Sequence, residues 1–139
     1  MKYTLSAFSI AVLFLFSGCD NRLTDVELNS NPYDQEYAGP KVVMIDHGRT
    51  IIETVFTTAH PKNEIYVRPA TQLYHKVNLY RNGVLIKTSP RQSYGAENLV
   101  EMIRDESPVA GVSYSYEAAL VSETSVTAKS EPFSYTTTP

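Results

Sequence analysis

The sequence predicts an all-β fold, an antiparallel β-sandwich of about seven short strands. Three observations lead there. From Lys41 onward apolar and β-branched residues recur with a period of two. Gly, Asn and Pro punctuate the chain at short intervals. Only one segment, Gly95 to Glu106, carries a helical spacing.

The elements follow in order. "KVVMID" (Lys41 to Asp46) and "TIIETVFTT" (Thr50 to Thr58) read as two strands, with "HGR" as the turn between them. "NEIYVRPAT" is interrupted by Pro69, which fits an edge strand or a loop rather than a central strand. In "LYHKVNLY", Leu73, His75, Val77 and Leu79 face one way, and Tyr74, Lys76, Asn78 and Tyr80 the other. "RNG" then marks a hairpin, because Asn-Gly supplies the positive φ of a tight turn, and "VLIKT" returns. "GAENLVEMIRDE" places Leu99, Met102 and Ile103 at helical spacing; a strand over Leu99 to Arg104 is the preferred reading, a helical turn the alternative. "VSYSYEAALV" alternates again, with Val112, Tyr114, Tyr116, Ala118 and Leu120 on one face. "PFSYTTT" is the last strand.

The N-terminus has a different composition. Lys2 precedes an apolar run from Leu5 to Phe16. That is a short basic region and a greasy segment of about a dozen residues, well short of the roughly 20 needed to span a bilayer. The run ends in Phe16-Ser17-Gly18-Cys19, which resembles a bacterial lipobox. The resemblance implies a signal peptide over residues 1–18, cut before Cys19, with the thiol and the new amino terminus both acylated. Phe16 stands where that family usually has Leu. A buried, unused thiol or an uncleaved membrane helix are the other readings of the segment. Cys19 is the chain's single cysteine, so no disulfide or thiol chemistry is expected in the remainder.

Residues 19–40 read as a lipidated tether, rich in Asn and Asp and poor in large apolar side chains. The alternative is a structured lead-in, with Tyr33 and Tyr37 packed on the base of the domain. "CDNRLTDVELNSNPYDQEYAGP" resembles the lead-ins of lipoproteins from the Bacteroidetes group. One domain, residues 41–139, follows. After cleavage, 11 basic residues stand against 15 acidic ones. A mildly acidic chain with scattered lysines has no footprint for nucleic acid and no polybasic patch for anionic lipid. Membrane attachment is therefore expected through the lipid at Cys19.

"VNLYRNGVLIKT" resembles the third strand and following hairpin of a fibronectin type III domain. "IRDESPVAGVSYSYEAALVSE…SEPFSYTT" resembles its last three strands. The resemblance implies an immunoglobulin-like sandwich in which Asp105 ends a strand and Gly111 opens the corner into the sixth strand. Tyr114 takes the tyrosine-corner position, bonding backbone near Ser107 to Ala110, and Tyr116 is core. The family's usual tryptophan of the second strand is missing, since the chain has none, and Phe56 is the expected substitute.

No catalytic constellation is legible. His47, His60 and His75 lack metal-ligand spacing, and no phosphate loop or nucleophile elbow is present. Asp46-His47 reads as a solvated turn and His75 as a core-edge residue. No cofactor is expected. The expected function is a non-enzymatic binding, adhesion or scaffold module with a protein or glycan partner. The alternative is an accessory glycan-binding lipoprotein of a polysaccharide uptake system. Tyr80 and Tyr94 are the candidate binding surface, because an exposed tyrosine offers apolar area and a polar tip together.

Overall fold

The computed structural model describes residues 30–92 and 99–139. Cys19, the segment before Ser30 and Tyr94 lie outside the described residues. The described chain is an antiparallel β-sandwich. One sheet holds β1 (Val43–Val55), β2 (Thr58–Pro69) and β5 (Glu101–Asp105) in the order β1-β2-β5. The other holds β3 (Lys76–Arg81), β4 (Val84–Pro90), β6 (Ser113–Ser122), β7 (Ser125–Val126) and β8 (Phe133–Thr136). Its order is β4-β3-β6-β7, with β8 also paired to β6. Ile65, Val67, Val77, Leu79, Ile103, Tyr116, Ala118 and Leu120 are almost fully buried between the sheets.

The Asn-Gly hairpin forms as expected, with φ of 50° at Asn82 and 80° at Gly83. Several expectations need correction. "HGR" is not a turn: β1 runs through it, with a register shift between Ile45 and His47. Gly48 serves packing instead, since a Cβ there would stand 2.9 Å from the Tyr135 ring. The turn comes later, at Phe56 and Thr57, between the paired Val55 and Thr58. Phe56 is therefore no core substitute for tryptophan; it is 98% exposed.

β2 is the central strand of its sheet despite Pro61 and Pro69. Both prolines lie outside the stretch Asn63 to Val67 that pairs with β5, so neither removes a bond from that ladder. Ahead of β3 the alternation fails: Leu73 is exposed, Tyr74 is buried and His75 faces solvent, because the strand begins only at Lys76. The segment with helical spacing yields strand β5, with residues 95–98 outside the description. Part of the expected tether is docked: Tyr33 packs against the core, its hydroxyl meets the Leu73 carbonyl, and Tyr37 donates to the Pro40 carbonyl at 2.9 Å.

Beyond β7 the chain leaves regular pairing, and side chains complete the edge of β6. Leu120 N–H donates to Thr127 Oγ1 and Ala118 N–H to Ser130 Oγ, both at 3.0 Å. Both hydroxyls are buried, so they satisfy donors that would otherwise be orphaned.

One end of the sandwich is filled by a polar network. Tyr116 Oη donates to Asp105 Oδ2 at 2.7 Å and accepts from Asn63 Nδ2 at 3.0 Å. Arg81 Nη1 reaches both Asp105 oxygens at 3.1 and 3.0 Å. Asn63 also donates to Thr137 and accepts from Thr50. Burial holds the Tyr116 hydroxyl protonated well above its ordinary range, with Asp105 adding to the shift.

Tyr116→Phe should therefore destabilise the domain by roughly 1–3 kcal/mol, because it strips partners from two buried groups. The effect of Tyr114→Phe should be smaller, about 0.5–1.5 kcal/mol, since water can replace its bond to the exposed corner. Urea midpoints of the two variants test the ranking, and equal midpoints would refute it.

Candidate functional site: the β1–β2 ribbon

β1 and β2 stay paired from Val43 and Pro69 to Val55 and Thr58, but β5 supports β2 only from Asn63 to Val67. The remainder, Ile51 to Lys62, extends as a two-stranded ribbon. Thr54 to Ala59 carries no charge, and Ile52, Val55 and Phe56 are 48%, 46% and 98% exposed. Phe56 also sits at φ 57°, where a residue without a side chain is favoured. The exposed ring adds no burial to folding, and the left-handed backbone costs stability, so Phe56 holds the tip at a net cost.

The root of the ribbon is rigid. On the outer face Glu64 is buried between two arginines, its Oε2 taking Arg49 Nε at 3.0 Å and its Oε1 taking Arg104 Nη2 at 2.9 Å. Tyr66 Oη donates to the same carboxylate at 3.2 Å. The hydrogen bond from Arg49, with those from Arg104 and Tyr66, holds the Glu64 carboxyl below its ordinary range against the opposing effect of burial. Lys62 Nζ bridges Glu53 and Glu106, each at 2.6 Å. His47 stacks on Tyr66 with ring centroids 4.2 Å apart, and its Nδ1 lies 3.0 Å from Asp46 Oδ2. Arg68 pairs with the same Asp46 at 3.1 Å.

The residues singled out from the sequence are scattered over other parts of the molecule. Asp105 ends β5 and is buried against Arg81. Gly111 has φ 77° in the corner before β6, and its N–H donates to Thr137 O at 2.8 Å. Tyr114 Oη accepts from Val109 N–H at 3.0 Å, five residues upstream. Tyr116 is fully buried. Tyr80 is half-buried on the second sheet, with Lys129 Nζ 4.2 Å from its ring centroid. Asp46 and His47 lie in β1 rather than in a turn, and His60 is exposed on the ribbon.

Sequence reasoning missed Asn63, Glu64 and Glu101, all buried polar side chains. Glu101 accepts from Tyr74 Oη at 2.6 Å and from Gln92 N–H at 2.8 Å. It also missed the ribbon, although the uncharged run "TVFTTA" was its visible signal. A groove of about 260 Å³ between β1 and the approach to β8, lined by Met44 and Phe133, is smaller than the ~300–1,000 Å³ of most small-molecule sites. Among the described residues no group of three or more His, Cys, Asp or Glu side chains is placed to hold a metal ion. No protein-family model matches this chain, and no curated protein or solved structure matches it significantly.

Two outcomes are expected. Phe56→Asn should raise stability by up to about 1 kcal/mol, read as a higher urea midpoint, because asparagine tolerates the left-handed backbone; a loss would mean that the ring supports the fold. Glu64→Gln should lower stability at pH 7. The lowered carboxyl pKa makes Glu64 stabilising above its ordinary 4.5, with the benefit lost as pH falls through the folded value. The gap between variant and wild type should thus narrow on acidification, measured by urea unfolding at several pH values.

Proposed function

We propose that this chain is a lipid-anchored, non-catalytic binding module of a bacterial cell envelope, with the β1–β2 ribbon as its contact surface. The observation that carries the reading is Phe56, held fully exposed at the tip of an uncharged hairpin. Its location fits display. The docked lead-in enters β1 at Val43, while the tip follows Val55. Twelve steps of about 3.3 Å separate those ends, roughly 40 Å. A chain held by acyl groups at Cys19 on the outer membrane would carry its lead-in near the lipid and could present the ribbon away from it.

The sandwich is read as fibronectin type III-like. The Asn-Gly hairpin, Asp105 at a strand end, the Gly111 corner and the Tyr114 bond to the Val109 backbone support that assignment. The non-catalytic reading rests on how the acidic and aromatic groups are used. Asp105 is held by Arg81, Glu64 by Arg49 and Arg104, Glu101 by Tyr74, and His47 by Asp46 and Tyr66. Tyr66 carries His47 and Tyr80 carries Lys129, so neither ring face is open to a partner, whereas the Phe56 ring is.

Two measurements test this. Intact mass of the membrane-extracted chain should show acyl groups on Cys19, and Cys19→Ala should leave the membrane fraction or remain uncleaved; a free thiol in the wild type overturns the anchor. A photo-crosslinking phenylalanine analogue in place of Phe56 should give a discrete protein adduct in intact cells. The same analogue at exposed Ser113 should not, and equal labelling at both positions overturns the contact surface.

A further inference from the structure

The ribbon has one open edge, and the pattern of the strands shows which. Val55 and Thr58 close a two-residue turn, which makes them a hydrogen-bonded pair. Alternation then makes Glu53–His60 and Ile51–Lys62 hydrogen-bonded pairs and Ile52–Pro61 a non-bonded one. Pro61, which has no N–H, fits that phase. On β1 the N–H and C=O groups of Gly48, Thr50, Ile52 and Thr54 therefore point away from β2. The sheet's other edges are interrupted. Pro61 offers no donor on the β2 side, and Gln92 Nε2 covers the Met102 carbonyl of β5 at 3.1 Å. The chain end meets β1 on its core side, through Thr138 N–H to Thr50 Oγ1 at 3.0 Å. The irregularity at Asp46 ends the regular stretch at the other side.

We infer that this edge pairs antiparallel with the same edge of a second copy of the chain, about a two-fold axis at Ile51. The inference rests on the ribbon being the contact surface and names what occupies it. A two-fold contact requires a self-complementary strip, and the hydrogen-bonding phase allows few registers. Centring on Glu53 sets two like charges opposite each other, which is destabilising. Centring on Ile52 sets Ile51 against Glu53. Centring on Ile51 sets Arg49 against Glu53 of the copy, Ile51 against Ile51 and Val55 against His47. Arg49 then meets an opposite charge and Ile51 an apolar partner on the outer face, and Arg49 and Glu53, which also pair with Glu64 and Lys62 of their own chain, are the only charges between Gly48 and Val55. The two three-stranded sheets join into one continuous sheet, and the open edges are removed.

The test uses the full chain, extracted in detergent with its N-terminus as processed. Sedimentation across a concentration series should show a dimer of the chain. Under mild oxidation Ile51→Cys should form a disulfide-linked homodimer, because the two Cβ atoms face each other across the axis. Glu53→Cys should not, since four residues, about 14 Å, separate it from its copy. Ile52→Pro removes an edge donor without touching a β1–β2 bond, and should weaken dimerisation about tenfold or more. A monomer at every concentration, equal crosslinking at positions 51 and 53, or an undiminished dimer in Ile52→Pro overturns the inference. If Ile51→Cys fails to crosslink while the analogue at position 56 captures a different protein, the copy is excluded and the ribbon remains the contact surface. If labelling at position 56 fails as well, both readings fall.

Discussion

The Asp105 carboxylate is the group on which the arrangement of the two sheets depends. It lies almost fully buried at the end of β5, where an unpaired charge would be prohibitively costly. Arg81 from β3 supplies the counter-charge and Tyr116 from β6 a short hydrogen bond, so one side chain of the three-stranded sheet is tied to two strands of the other. Asn63 on β2 extends the connection to Thr50 of β1 and to Thr137 beyond β8. Hydrophobic packing alone tolerates sliding of one sheet over the other, whereas this network has all its partners only in one register.

The opposite end of β5 repeats the device with Glu101, which holds Tyr74 and the Gln92 backbone. The inward face of β5 thus reads Glu101, Ile103, Asp105, with Met102 and Arg104 turned outward. That inversion explains the helical appearance of the segment in the sequence. An acid–apolar–acid face is not the hydrophobic face that a period of two normally exposes, and Leu99, Met102 and Ile103 supplied a competing spacing. The acids face inward because tyrosine, arginine and backbone partners from distant parts of the chain meet them there.

This construction separates a rigid body from an unsupported extension. The core and both polar clusters lie where two sheets face each other, while the ribbon past Asn63 has one layer and few buried contacts. Glu64, clamped by Arg49 and Arg104, and Lys62, bridging Glu53 and Glu106, stiffen the point where the ribbon leaves the sandwich.

The all-β class, the Asn-Gly hairpin between β3 and β4 and the face of β6 from Tyr114 to Leu120 were legible in the sequence, although Val112, expected on that face, lies exposed ahead of the strand. All of these are local: a turn needs its own residues to adopt positive φ, and a half-buried strand shows its period of two. Tertiary structure decided the rest. "HGR" became strand because Tyr135 from β8 packs over Gly48. β2 became central, prolines included, because β5 covers only the stretch between them. Phe56 became a tip rather than a core residue because β1 continued to Val55 before turning. Tyr80 was drawn under Lys129 by the fold of the chain beyond β7. Each of these depends on a partner far away in the chain, and a strand's neighbours, unlike its period, are not written in its own residues.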